Sequence, residues 1–157
     1  MTVRTNAGTR FFIGPANETA NTKEAYELLS YTEVGEIEDH GSFGDNFGTT
    51  PFTAVGDERE RNLKTIKRGV QQSLVVGYDS GDAGQIAMAA AVLSKSNYAV
   101  KIVRDNGSEG SPPGTGETFY FRGLLTGGEI NLGNAENVVR QTIMVMKNSD
   151  TVRVAAT

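Results

Sequence analysis

The chain has one histidine, His40, directly after Asp39. A hydrolytic triad needs an imidazole oriented by a carboxylate beside a nucleophile. Neighbours along an extended segment point to opposite sides, so Asp39 cannot orient His40, which reads as a surface loop residue. Gly107 to Gly116 (GSEGSPPGTG) superficially resembles a phosphate-binding loop. It lacks the Lys-Ser/Thr ending and joins two predicted strands rather than a strand and a helix. Asp45, Asp79 and Asp82 lack the spacing of a calcium loop. Asp79-Ser80-Gly81-Asp82 is accounted for as the turn and cap of a helix. A glycosidase-type carboxylate pair is a spatial arrangement, and the sequence neither builds nor forbids one. With 19 acidic residues, accidental pairs are easy to propose, so that reading carries little weight. The expectation is a non-enzyme without catalytic, cofactor-binding or metal residues.

Composition narrows the class further. Cysteine is absent, which removes disulfides and thiolate metal sites and suits a reducing cytoplasm. One histidine removes a multi-histidine metal site within the chain. At 157 residues a single domain spanning 1–157 is expected. A chain of this size buries roughly 70% of the surface exposed when unfolded, enough for its own core. No apolar run approaches the roughly 20 residues that span a bilayer, so no membrane insertion is expected. The first ten residues lack the apolar centre of a signal peptide. The net charge of −4 argues against tight nucleic-acid binding but not against DNA that merely passes by. Nineteen glycines and four prolines suit tight turns between strands.

The strongest element signal is Leu74 to Lys95, LVVGYDSGDAGQIAMAAAVLSK. It begins as an alternating strand, turns at Asp79-Ser80-Gly81, and continues as an alanine-rich helix over about 82–95. Asp82 is the predicted N-cap, with Gln85 placed for a capping box. Ile86, Ala87, Ala90 and Leu93 form the predicted buried face. Before it, residues 1–9 read as an arm, Arg10 to Ile13 as a strand closed by Gly14-Pro15, and Thr22 to Leu29 as a helical turn. Tyr31 to Ile37 reads as a strand. Asn62 to Tyr78 reads as one long strand with Ile66, Val70, Leu74, Val76 and Tyr78 on one face, bent near Gly69. After the helix come strands at Tyr98 to Arg104, Glu117 to Leu125 and Asn137 to Lys147, and a terminal one at Thr151 to Ala155. The segment 105–116 reads as a hairpin loop. The fold class is therefore mainly β (α+β): a β-sandwich or partly closed barrel with one flanking helix.

Asp39 to Gly56 shows no clear period and reads as a long extended loop. Such a loop in a compact domain is usually functional or disordered. It carries Phe43, Phe47 and Phe52, and phenylalanine is unusual in disorder. Two readings stand: the rings tuck onto the chain's own core, or they pack on a neighbouring subunit. Charge is polarised here as well. Eight acids and only Arg59 lie between Glu33 and Glu60, followed by Arg61, Lys64, Lys67 and Arg68 with no acid. The two groups either neutralise each other across an antiparallel pair or meet between subunits. The candidate subunit or ring-interface residues are Phe43, Phe47, Phe52, Asp57, Glu58, Arg59, Arg61 and Lys64.

The order of four motifs resembles the major tail tube proteins of siphophages, the bacteriophages with long non-contractile tails. The motifs are Tyr31-Thr-Glu-Val-Gly-Glu-Ile-Glu-Asp with Gly41-Ser-Phe-Gly, and Gly56-Asp-Glu-Arg leading into Lys64-Thr-Ile-Lys-Arg-Gly. Asp79-Ser-Gly-Asp-Ala-Gly-Gln follows, then Phe119-Tyr-Phe ahead of the last long strand. The likeness runs from about Ala7 to Val154; the 105–116 loop is longer than the family pattern. The resemblance implies six subunits per ring and rings stacked into a hollow virion tail tube, assembled in the host cytoplasm. It implies a tape-measure protein in the lumen, a tail terminator and distal tail or baseplate proteins as partners, and transient passage of genomic DNA. The type VI secretion tube protein shares this architecture. The alternative is a monomeric decoration, head-tail joining or binding module. The absence of Trp weighs against a sugar-binding version.

Overall fold

The computed structural model describes residues 3–157; Met1 and Thr2 of the predicted arm lie outside the described residues. Ten strands and two helices follow in order: β1 (Arg10–Ala16), α1 (Lys23–Glu27), β2 (Thr32–Val34), β3 (Ile37–Asp39), β4 (Asp45–Phe52), β5 (Arg61–Gly69), β6 (Gln71–Gly77), α2 (Ala83–Val92), β7 (Tyr98–Val103), β8 (Thr118–Asn131), β9 (Arg140–Lys147) and β10 (Val152–Val154). Eight strands form one sheet in the order β2-β1-β7-β8-β9-β6-β3, with β10 added to the first part of β8. β4 and β5 form a separate two-stranded sheet.

The main sheet is not closed into a barrel, yet its two edge strands are consecutive in sequence. β2 and β3 are joined only by Gly35 and Glu36, the latter at φ 58. The sheet must therefore curl until its edges approach. The start of α2 straps the seam. Asp82 caps the helix by accepting from the Gln85 amide at 3.0 Å, and it also accepts from the Gly35 amide at 3.1 Å. Gln85 does not complete a capping box. Its side chain is buried and accepts from the Asp79 amide, while donating to the carbonyls of Gly77 and Gly35. Backbone groups that the open seam would strand are thus paired.

Inside the curl, Phe11, Ile13, Val34, Leu74, Val76, Val100, Ile102, Phe121, Leu125, Ile143 and Val145 form the core, and Met88 and Ala91 of α2 cover it. Alternation along β6, β7 and β9 sends every second side chain there. The outer face carries a smaller cluster under α1, where the rings of Tyr26 and Tyr120 stack at 5.4 Å.

The helix lies where the sequence puts it, but its buried face is different. Ile86 is 56% and Leu93 89% exposed, whereas Gly84, Met88 and Ala91 are buried. Gly84 sets this orientation: a Cβ there would lie 2.2 Å from the Glu33 carbonyl oxygen. The helix rolls so that its glycine, not its largest aliphatics, meets β2. A second short helix, α1, forms where the helical turn is predicted, capped by Thr22.

Other elements differ in extent. The predicted strand Tyr31–Ile37 is two strands broken at Gly35-Glu36. β1 runs through Gly14-Pro15, with an irregular register between Ile13 and Ala16. β8 extends through the Gly127-Gly128 bulge to Asn131. The long strand predicted at 62–78 divides at Val70. β6 joins the main sheet and β5 leaves it, and Gly69 sits at the crossing because a Cβ there would lie 2.0 Å from the Lys147 carbonyl oxygen. The extended loop predicted at 39–56 contains strand β4, so much of it is one arm of a hairpin.

Candidate assembly interface

Phe/Gly-rich β4 and basic β5 pair from Asp45↔Gly69 to Phe52↔Arg61, with a register shift between Phe47 and Thr49. Every β5 residue before Gly69 is exposed. The ribbon therefore stands off the sheet with water on both faces. Phe47 and Phe52 are 48% and 49% exposed. Five residues apart on one strand, they point to opposite faces.

Cations from β5 cover these rings. Lys64 Nζ lies 4.9 Å and Lys67 Nζ 5.7 Å from the Phe47 centroid, and the Arg61 guanidinium lies 5.6 Å from that of Phe52. Exposed cation–π contacts contribute only about 0.5–1 kcal/mol each. They order the rings without burying them. Leu63 and Ile66 add exposed aliphatic surface. Ile66, predicted to face inward, is exposed because β5 has left the sheet.

Two ion pairs anchor the root. Lys147, buried in the sheet, pairs with Asp45 at 2.5 Å. Lys67 pairs with Asp150 at 2.6 Å; this bond holds the Asp150 carboxyl below its usual range and raises the Lys67 ammonium above its own. Among the described residues no ion pair crosses the β4–β5 ladder, so the first of the two readings of the charge pattern does not describe it. The one acid on β4 is Asp45, and it is committed to Lys147.

The sequence candidates separate into three groups. Phe43 belongs to the chain's own core: its ring meets Phe119 edge-on at 5.0 Å and stacks on Phe121 at 5.9 Å. Phe47, Phe52, Arg61 and Lys64 lie together on the exposed ribbon. Asp57, Glu58 and Arg59 occupy the connection between its strands, where Asp57 pairs with Arg61 at 3.2 Å. The root pair Asp45–Lys147 joins residues 102 apart and left no sequence signal.

Beside the root, Phe43, Phe119, Ile102, His40 and Gln72 line a cavity of about 270 Å³. His40 Nδ1 and Gln72 Oε1 are buried there without a partner among the described residues. Burial lowers the His40 pKa from its ordinary value, against a hydrogen bond with the Thr9 backbone and the nearby Asp39 charge, which both raise it. His40 is thus half-buried rather than a plain surface residue. Among the described residues no three His, Asp or Glu gather to hold a metal, and no helix is long and apolar enough to cross a membrane.

A curled eight-stranded sheet strapped by one main helix, with a detached hairpin, is a tail-tube-like fold. No protein-family model matches the chain, and no curated protein matches it in sequence. Solved structures do match. The chain is similar to a chain of the anti-feeding prophage baseplate, with TM-score 0.68 and 13% identity over 99% of this chain and 98% of that one. It is similar to a chain of the sheath/tube terminator of the PVC extracellular contractile injection system, with TM-score 0.65 and 12% identity over 98% and 99%. It is also similar to the SPP1 tail tube, with TM-score 0.62 and 14% identity over 94% of this chain and 76% of that one. At these identities the likeness defines the fold.

Proposed function

We propose that this chain is a structural virion protein of the siphophage tail-tube type, self-assembling into stacked six-membered rings around a hollow lumen. It acts as a building block, not an enzyme. The observation that carries this reading is the β4–β5 ribbon. A two-stranded hairpin in water is marginal alone, and this one exposes aromatic and aliphatic side chains on both faces. A neighbouring subunit that covers it buries them. The contact is heterologous, joining different surfaces of two copies, and such contacts close into rings laterally and extend along an axis. Among the described residues the outer edges of β4 and β5 are unpaired, and they offer backbone groups for a neighbour's strand. The tail-tube-like fold and the motif order support the same reading.

In this role the lumen holds the tape-measure protein during assembly and conducts genomic DNA afterwards. Net negative charge suits a wall that phosphates slide past. The terminator and the distal or baseplate proteins end the tube. Assembly takes place in the host cytoplasm, and the finished protein resides in the virion tail. A neighbouring gene for a very long helical protein would agree with it. Sedimentation and electron microscopy test the reading, applied to concentrated protein and to lysates of cells co-expressing the adjacent tail genes. Hollow tubes of stacked rings are expected. A strict monomer in both samples, with tails forming normally in its absence, refutes it.

A further inference from the structure

The root of the hairpin and a group of uncommitted acids lie at opposite ends of the same strand pair. β6 and β9 run in register from Gln71↔Met146 to Gly77↔Arg140. The hairpin leaves the sheet at the first end, where Gly69 crosses Lys147. Six residues along β6 place the second end about 20 Å away.

At that far end Tyr78, Ile130, Leu132 and Val138 are exposed, Leu132 at 67% and Val138 at 61%. Glu36, Asp79, Glu129 and Glu136 are exposed beside them. None of these four acids forms an ion pair among the described residues. The nearby cation Arg140 is held by Glu38. Glu36, Tyr78, Asp79 and Val138 also border a cavity of about 460 Å³, so this end is concave. The hairpin is its complement: a projecting ribbon bearing Phe47, Phe52, Leu63 and Ile66 beside four bases. Two of those bases, Lys64 and Arg68, have no acid partner among the described residues.

We infer that the acidic, apolar end around Tyr78 and Val138 receives the basic, aromatic hairpin of a second copy of this chain. This rests on the reading of the ribbon as a subunit contact, and it names the surface that the ribbon meets. Hairpin against hairpin would oppose bases to bases, which costs affinity. Hairpin against the far end opposes bases to acids and apolar groups to apolar groups. Because donor and receiver occupy opposite ends, each docked copy presents a new free hairpin, so the contact propagates instead of closing as a dimer.

A charge exchange between two variants tests it. One carries Glu129→Lys and Glu136→Lys; the other carries Lys64→Glu and Arg68→Glu. All four positions are exposed, so both monomers should melt within a few degrees of the wild type, the hairpin variant losing only the Lys64–Phe47 contact. Assembly is read as the pelleted fraction and as tubes by electron microscopy, in the same two samples as the wild type. Each variant alone should lose assembly. An equal mixture should recover it, since each hairpin then finds an oppositely charged receiver on the other variant. If the acidic-end variant assembles like wild type while the hairpin variant does not, this receiving surface is wrong and the tube reading stands. If both assemble like wild type, the ribbon is no subunit contact and both readings of it fall. Loss in both with no recovery on mixing also overturns the pairing.

Discussion

Phe43 and Phe47 sit four residues apart in the same Phe/Gly-rich stretch, yet the structure gives them opposite surroundings. The Phe43 ring packs on Phe119 and Phe121 at 5.0 and 5.9 Å. Truncating a fully buried Phe to Ala costs about 3–5 kcal/mol. Phe43 is half-buried at the margin of the core, so Phe43→Ala should cost about 2–3 kcal/mol, including the lost aromatic pairing. For a domain of this size that lowers Tm by roughly 4–12 °C. Phe47 is 48% exposed, and the ends of Lys64 and Lys67 lie over its ring. Phe47→Ala should cost the monomer no more than about 1 kcal/mol while reducing assembly strongly. The assay is thermal melting of each monomer by circular dichroism, with the pelleted fraction of concentrated protein beside it. Equal loss of Tm in the two variants would refute the division, because the ribbon would then belong to the monomer core. An unchanged Tm for Phe43→Ala would refute the packing of that ring.

Three further outcomes follow from the same geometry. Asp45→Asn leaves Lys147 buried without its counter-charge and should destabilise by about 3–5 kcal/mol, whereas Asp45→Leu with Lys147→Met should recover most of that in urea unfolding. Gly84→Val places side-chain atoms against the Glu33 carbonyl and the Val34 backbone. It should cost about 1–3 kcal/mol and weaken amide-exchange protection at Gly35 first. Burial lowers the folded-state pKa of His40, so on acidification the unfolded chain takes up the proton first. The stability that depends on neutral His40 is therefore complete above the unfolded value of about 6.5 and is lost as pH falls below it. His40→Gln should flatten the dependence of Tm on pH between about 7 and 5; an unchanged slope would contradict the assignment.

The parts of the fold that local chemistry decides were legible in the sequence. Asp82 caps α2, Asp79 to Gly81 makes the turn before it, and Leu74 and Val76 of the face read within 62–78 lie in the core. The orientation of α2 was hidden because a hydrophobic count favours Ile86 and Leu93, while the real constraint is the space Gly84 leaves against β2. β4 was hidden for a different reason. Period-two burial reveals a strand only when one face meets a core, and β4 has solvent on both faces. The same exposure hid the division of 62–78, since β5 and β6 continue each other's alternation although they belong to different sheets. Phe47, Phe52, Arg61 and Lys64 were recognisable as a set by composition. Their shared ribbon, and the departure of Phe43 into the core, depend on pairing between residues distant in sequence.

The central claim is that this chain builds the wall of a tail tube. Its most direct test is removal of the gene from the assembly locus that encodes it, followed by electron microscopy of the lysate. The account predicts that tails are missing and return when the intact chain is supplied in trans. Tails of normal length and diameter in the deletion lysate would contradict it.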